Sequence, residues 1–152
     1  MLPGMTRLKS SDLLASGSGR VDVGSVGPHP DKRKVALGAY GERVAARHLQ
    51  AQGMVIVDRN WRCADGEIDL VAHDGSCLVV CEVKTRRTTT YGSPVEAITW
   101  RKAARLRRLA GWWVQAHPLE ARATSEIRVD VVGVVLPYAG APVVEHLRGA
   151  LA

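Results

Sequence analysis

Three carboxylates and a lysine lie in two neighbouring strand-like segments of the sequence, at positions where their side chains could act together. Glu67 and Asp69 belong to one alternating segment, and Glu82 and Lys84 belong to the next. Successive side chains of a β-strand point to opposite faces, so the two residues of each pair share a face. The pattern therefore predicts a small charged patch on one face of a sheet.

The register of the hairpin decides which of these residues lie opposite one another. Asp-Gly is a strong signal for a two-residue turn, and Asp74-Gly75 stands between the two segments. With that turn, Glu67 faces Glu82 and Asp69 faces Val80. A slip of one residue would break the patch, because it would turn one strand's set of side chains to the other face.

Carboxylates this close cannot all ionise without a compensating cation. Lys84 supplies one positive charge, and a hard divalent metal held by oxygen ligands, magnesium or manganese, would supply the rest. Such a metal can coordinate a phosphate oxygen and activate a water, while a lysine orients that water or stabilises the developing charge. The residue types thus point to phosphodiester hydrolysis. The alternative interpretation is a solvated sheet face with cross-strand ion pairs.

The surrounding pattern predicts a mixed α/β fold in the order helix-strand-strand-strand-helix-strand. The predicted elements are a first helix over 35–52, strands over 54–57, 66–72 and 77–84, a second helix over 94–116 and a last strand over 126–135. Gly53 is suited to end the first helix, and a capping box at Ser93 with Pro94 opens the second. The first three strands should form an antiparallel meander, and the two strands that flank the second helix should pair in parallel.

Length and composition fit one domain with a tail. Residues 1–34 are rich in Gly, Ser, Pro and basic residues and are predicted to be a disordered tail; 35–136 form the domain, and 137–152 are a C-terminal extension. The chain has no apolar run of about 18 residues, which argues against a membrane span, and no apolar run behind the N-terminal charges, which argues against a secretory signal. The 3 cysteines suit a reducing cytoplasm.

The net charge of +6 favours a polyanionic partner. On the second helix Arg101, Arg105 and Arg108 form a basic stripe at i, i+4, i+7 spacing. Arg86 and Arg87 follow the strand that holds Glu82. We interpret these arginines as phosphate contacts, with an ordinary solvated helix face as the alternative.

Lys102 and the tryptophans complete the second helix. Lys102 falls on its apolar stripe, where a charge needs a partner or must snorkel to the edge; we count it among the nucleic-acid contacts. Trp112 and Trp113 could stack on bases, but a core or interface role is favoured. Trp61 and Trp100 are expected in or near the core.

Four blocks of sequence together resemble one family. They are Gly41-Glu42, Asn60-Trp61-Arg62, Gly66-Glu67-Ile68-Asp69-Leu70 and Glu82-Val83-Lys84-Thr85-Arg86. In this order they are similar to the YraN family of small bacterial proteins. That family is itself similar to the PD-(D/E)xK, or restriction-endonuclease-like, nucleases and to archaeal Holliday-junction resolvases. The resemblance runs from about Gly38 to Val135.

The resemblance implies a restriction-endonuclease-like core and a role for each matched residue. Asp69 and Glu82 would bind the metal; we count Glu67, which shares their face, as a third metal ligand. Lys84 would be the water-orienting base, and Glu42 an auxiliary acid on the first helix. Ile68 stands where the nuclease motif often has proline.

These residues favour a magnesium- or manganese-dependent endonuclease, with DNA as the favoured partner and structure-specific DNA processing as one form of the activity. Junction-cutting relatives act as dimers, so a homodimer is expected by analogy. Two alternatives remain open. One is a nucleic-acid-binding module on a nuclease fold without appreciable cleavage, and the other is a protein-interaction adaptor that uses Trp112 and Trp113.

The basic stripe makes a prediction for binding. If about five of the basic side chains contact phosphates, the log of the duplex-DNA association constant should fall with log salt at a slope of about −4 to −5. Fluorescence anisotropy across a salt series measures this slope. Binding that does not respond to salt would contradict a phosphate-contacting surface.

Overall fold

The computed structural model describes residues 28–150, and most of the predicted tail lies outside them. The elements are α1 (Lys32–Ala51), β1 (Val55–Cys63), β2 (Gly66–Asp74), β3 (Cys77–Arg86), a 3-10 helix (Pro94–Ala97), α2 (Trp100–Ala116), α3 (Pro118–Arg122), β4 (Glu126–Val135) and β5 (Val143–Leu147). Within this part of the chain, no helix combines the length and the apolar character that crossing a membrane requires.

All five strands belong to one sheet, in the order β1-β2-β3-β4-β5. The first three strands pair antiparallel, and β3 pairs with β4 in parallel, so the predicted meander and crossover are confirmed. The sequence pattern missed β5, which lies within 137–152 and pairs antiparallel with β4. The mixed α/β prediction is therefore confirmed, with one strand more than expected.

A hydrophobic core lies on each face of the sheet. On one face, Ala45 and Leu49 of α1 pack against Leu70, Cys81 and Val132. On the other face, α2 packs against the sheet, and Trp113 is fully buried there. We call these the α1 core and the α2 core. The sheet thus buries most of its central strands on both faces, which explains their nearly continuous apolar sequences.

The predicted hairpin register is wrong by two residues. Asp74 pairs with Cys77, so Gly75-Ser76 is the turn in place of Asp74-Gly75. Gly75 takes a positive φ of 60°, which suits the first position of such a turn. Because the side-chain period of a strand is two, a displacement of two residues does not by itself exchange the faces of the strands.

The second helix is also shorter than predicted. The Ser93 capping box forms, but it opens only the 3-10 helix. Ile98 then becomes extended, and α2 starts after a second cap, where the Thr99 side chain accepts the N–H of Lys102. Trp100 is 69% exposed at the start of α2, so its predicted place in or near the core is wrong.

At its start, α1 begins three residues earlier than predicted, because the Asp31 side chain caps it by accepting the N–H of Arg33. In its middle, α1 lies directly against β3. A Cβ built on the buried Gly41 would overlap the side chain of Thr85, whereas a Cβ on Gly38, one turn earlier, would meet nothing within 4 Å. Glycine at position 41 therefore sets how closely the helix approaches the strand that holds Glu82 and Lys84.

This contact predicts opposite effects for two alanine substitutions in one helix. Gly41→Ala should destabilise the fold by about 1–3 kcal/mol, because the added methyl must displace Thr85. Gly38→Ala, the matched control, should stabilise it by about 0.5–1 kcal/mol through helix propensity. Urea unfolding measures both. Equal effects at the two positions would show that the close approach is not a constraint.

Candidate active site

The centre of the site is a bend in β2 at Asp69. Ile68 and Leu70 are two residues apart and should share a face, yet Ile68 packs in the α2 core and Leu70 in the α1 core. The pairing of Arg59 with Leu70 and of Trp61 with Ile68 places Asn60 opposite Asp69. Asn60 has a φ of 49°, a left-handed conformation that asparagine tolerates better than most residues. The two neighbouring strands are thus irregular at the same level.

The side chain of Asp69 replaces a backbone carbonyl as the hydrogen-bond acceptor for one N–H of β3. The backbone pairing of β2 with β3 runs from Asp74–Cys77 to Leu70–Cys81. One residue further, the Asp69 carboxylate accepts the N–H of Val83 at 2.8 Å. The displaced register also brings Asp69, the residue before Leu70, level with Glu82, the residue after Cys81. Two carboxylates therefore lie side by side where the strands separate, with only 8% and 9% of their residue surfaces exposed.

Two lysines share one oxygen of Glu82. Lys84 Nζ lies 3.2 Å from Glu82 Oε1, and Lys102 Nζ lies 2.7 Å from the same atom. Lys84 comes from the same strand face, and Lys102 reaches in from α2. The predicted need of Lys102 for a partner is thus met by Glu82. Together with Asp69, these residues give two carboxylates and two ammonium groups, whose formal charges sum to zero.

The pKa of Asp69 is raised to about 7, mainly by burial and next by the negative charge of Glu82. The hydrogen bond from Val83 opposes both effects but is weaker. For Lys102, burial lowers the pKa, but the bond to Glu82 and the surrounding negative charge outweigh it, and the pKa rises above its ordinary value. Asp69 is therefore poised to gain or lose a proton near neutral pH, while Lys102 stays charged.

These groups line an open cleft of about 580 Å³, which we call the carboxylate cleft. Its lining includes Arg62, Cys63, Glu67, Asp69, Glu82, Lys84, Lys102 and Arg105. Glu67 pairs with Arg62 at 2.8 Å and is half exposed. Arg105 donates twice to the carbonyl oxygen of Asp65, in the turn between β1 and β2. The rim of the cleft is thus basic, and Glu67 belongs to that rim.

Some predicted site residues lie outside the carboxylate cleft. Glu42 lines a separate groove on the α1 side together with Val83 and Lys84, although its charge still acts on Asp69. Arg86 donates to the carbonyl oxygens of Tyr91 and Gly92. The structure therefore gives Arg86 a contact within its own loop.

Three predicted phosphate contacts lie elsewhere on the surface. Arg87 donates to the carbonyl oxygen of Leu136. Arg101 and Arg108 are exposed on α2, where Arg101 lies 5.5 Å from the centre of the Trp100 ring. None of the three lines the carboxylate cleft.

A third buried carboxylate has a structural explanation. Asp130 is fully buried and accepts hydrogen bonds from Arg128, His146 and the N–H of Gly149. Burial alone would raise the pKa of Asp130, but the bonds from His146 and Arg128 bring it down to about 2. These bonds tie β5 and the C-terminal residues to the sheet.

The donor set suits a hard cation. Asp69 and Glu82 offer only oxygen atoms, which magnesium and manganese prefer. Within residues 28–150, no three His, Cys, Asp or Glu side chains are grouped as a metal cage. Two carboxylates are nevertheless enough for magnesium, which usually keeps several waters and takes further oxygens from a phosphate substrate.

The chain belongs to a family of bacterial proteins. Residues 41–134 match the family described as "Uncharacterised protein family UPF0102", which is the YraN family. A UPF0102 protein of Nocardioides sp. is 60% identical over 116 residues, covering 76% of this chain and 91% of that protein. The relatives from Beutenbergia cavernae and Streptomyces coelicolor are 58% and 52% identical, over 78% and 84% of this chain and 98% and 97% of their own.

A search of solved structures finds SfsA from Pyrococcus furiosus in complex with Ca²⁺. The two chains superpose with a TM-score of 0.34 at 16% sequence identity, covering 74% of this chain and 62% of that one.

The raised pKa of Asp69 predicts a pH-dependent stability. Its folded pKa is about 7 and its ordinary value 3.8, so its contribution to stability is lost as the pH rises from about 4 to about 7. Asp69→Asn keeps an acceptor for Val83 and removes the buried charge. In EDTA it should be more stable than the wild type at pH 8 by about 1–2 kcal/mol, and nearly equal at pH 4.5.

Urea unfolding at the two pH values tests this expectation. Asp65→Asn, which changes an exposed carboxylate in the neighbouring turn, serves as the control and should shift stability little at either pH. An Asp69→Asn variant less stable than the wild type at pH 8 would mean that the Asp69 charge stabilises the fold.

Proposed function

We propose that this protein is a metal-dependent nuclease that hydrolyses phosphodiester bonds, and that its sheet is the core of a restriction-endonuclease-like fold. The observation that carries the proposal is the pair of adjacent buried carboxylates, Asp69 and Glu82, with two lysines on one Glu82 oxygen. A structural sheet face has no need of two buried acids side by side. A hydrolytic site needs this arrangement, because it must hold a cation and a nucleophile near a phosphate.

Each group has a role in this proposal. Asp69 and Glu82 would hold the metal through their oxygens. When bound there, magnesium or manganese would offset the phosphate charge and lower the pKa of a water. Lys84 and Lys102 both lie within reach of Glu82, so either can turn to a phosphate oxygen or to the attacking water. Ionised Asp69 is required, which favours activity at and above pH 7.

The surroundings of the cleft favour a nucleic acid as substrate. Arg62 and Arg105 lie on its rim, and Arg101 is exposed on the same helix as Arg105. The chain as a whole carries a net charge of +6. Phosphate contacts of this kind position a backbone without reading its sequence. We therefore propose nucleic acid, with DNA favoured, as the substrate class.

A binding module without cleavage is the second candidate. It is favoured by the charge balance of the site, because Lys84 and Lys102 already neutralise the carboxylates without a metal. A non-cleaving protein would hold nucleic acid through the same basic rim. Hydrolysis assays separate the two candidates.

Purified wild type with magnesium or manganese should cleave at least one of a set of duplex, flap, branched and single-stranded substrates. Asp69→Asn and Glu82→Gln should each lower the rate by about a hundredfold or more, because each removes an ionised group on which the reaction depends. EDTA should abolish cleavage.

Asp65→Asn is the control here too, since it lies at the turn beside the cleft but lines no part of it. Its rate should stay within about twofold of the wild type. Cleavage that survives in Asp69→Asn would trace to a contaminant or another site, and no cleavage of any substrate would leave the binding module.

A further inference from the structure

A second groove lies at the N-terminal half of α1 and faces the loop between β4 and β5. Its volume is about 700 Å³, and we call it the tyrosine groove. The residues that define it are Arg33, Lys34, Leu37, Tyr40, Arg87 and Tyr138. Its described lining contains three cations and no carboxylate. The nuclease motifs do not account for it.

Two tyrosines give the groove aromatic surfaces. Tyr138 is 87% exposed, and Tyr40 is 44% exposed. Two exposed rings on one groove are suited to a ligand with a flat apolar face. Unpaired nucleobases are such ligands, because every base can stack on an aromatic ring.

Arg87 holds one of these surfaces in place. Its guanidinium lies 4.6 Å from the centre of the Tyr138 ring, and it also donates to the carbonyl oxygen of Leu136 at 3.2 Å. The second contact fixes the arginine at the end of β4. Tyr138 therefore rests on a positioned cation, which leaves the other face of its ring for a base.

The tyrosine groove adjoins a smaller groove on the same side of the sheet. Lys34 and Leu37 also line the smaller groove that contains Glu42, Val83 and Lys84. Lys84 in turn lines the carboxylate cleft. Lys84 is thus the residue that the α1 side and the carboxylate cleft on the α2 side have in common.

We propose that the tyrosine groove binds a single-stranded segment of nucleic acid. Tyr138 and Tyr40 stack on its bases, and Arg33, Lys34 and Arg87 hold its phosphates. This inference rests on the proposed nuclease function, because it says that the substrate of the nuclease contains an unpaired strand.

Charge and shape favour a single strand over other occupants. A duplex keeps its bases stacked inside the helix, so it offers phosphates but no free base faces to the tyrosines. An acidic polypeptide would match the cations but has a ring only where its sequence supplies one, whereas every nucleotide of a single strand brings both a phosphate and a base. The combination of cations with exposed rings is explained by unpaired nucleic acid.

The test is binding without metal, so that it does not depend on cleavage. A labelled oligothymidylate of about 15 nucleotides, a length typical of single-strand sites, is titrated with the full chain in EDTA and followed by anisotropy. Tyr138→Ala should weaken binding about tenfold, because it removes a stacking surface, whereas Tyr138→Phe keeps the ring and should stay within about twofold. Arg87→Ala should weaken binding to a similar extent as Tyr138→Ala.

Matched controls lie outside the groove. Tyr91→Ala removes another exposed tyrosine, and Arg47→Ala removes an exposed arginine of α1, the helix that lines the groove. Neither should change oligothymidylate binding. If Tyr138→Ala behaves like Tyr91→Ala, the proposal is overturned. It is also overturned if Tyr138→Ala weakens binding of a blunt duplex as much as that of the single strand.

Photocrosslinking gives an independent readout. An oligonucleotide carrying 5-iodouracil should form its adducts at Tyr138 or Tyr40. Adducts only at Trp100 or Trp112 would place the strand on α2 and overturn the proposal. Failure of the nuclease proposal looks different: the wild type would cleave nothing with magnesium or manganese, yet would still bind oligothymidylate in a Tyr138-dependent way.

Discussion

The burial of two neighbouring carboxylates on adjacent strands is the constraint that the rest of this structure accommodates. Asp69 and Glu82 lie side by side with little exposed surface, in a setting where like charges oppose each other. An ordinary sheet would avoid this pairing by placing one acid at the edge or on the solvent side. Here both acids lie on inner strands. The backbone beside them is irregular at Asn60, and a lysine from α2 reaches Glu82.

Three features offset the cost of that pairing. The bend at Asp69 lets its carboxylate accept the Val83 N–H, which replaces a lost backbone partner of β3. Two lysines, one from β3 and one from α2, converge on a single oxygen of Glu82. On the opposite face, Gly41 lets α1 approach Thr85 closely, which packs the strand from behind. Strain, charge and close packing are thus concentrated within a few residues, as is common at functional sites.

From the sequence, the residue types of the site and the face they share could be predicted better than the residues that each of them contacts. Glu67, Asp69, Glu82 and Lys84 line one cleft, as alternation predicts, and the shift of two residues in the register does not separate them. Alternation could not predict the bend at Asp69, since no periodicity records a positive φ at Asn60. Lys102 stood out as a charge on an apolar stripe, but only tertiary structure reveals that Glu82 is its partner. The exposure of Trp100 was missed because the sequence does not show that the chain becomes extended at Ile98 before α2 begins. Strand β5 was missed because it is defined by its pairing with β4.

The topology of the sheet gives the site an order of assembly. Asp69 and Glu82 are joined by one tight hairpin, so they can meet as soon as β2 and β3 pair. Lys102 lies in the crossover between β3 and β4, and the parallel pairing of those strands must close a long loop. During folding the two acids therefore come together before the α2 lysine arrives. Until the crossover docks, the hairpin holds two acids with Lys84 as their one lysine, so it carries one more negative charge than the balanced cleft of the finished fold.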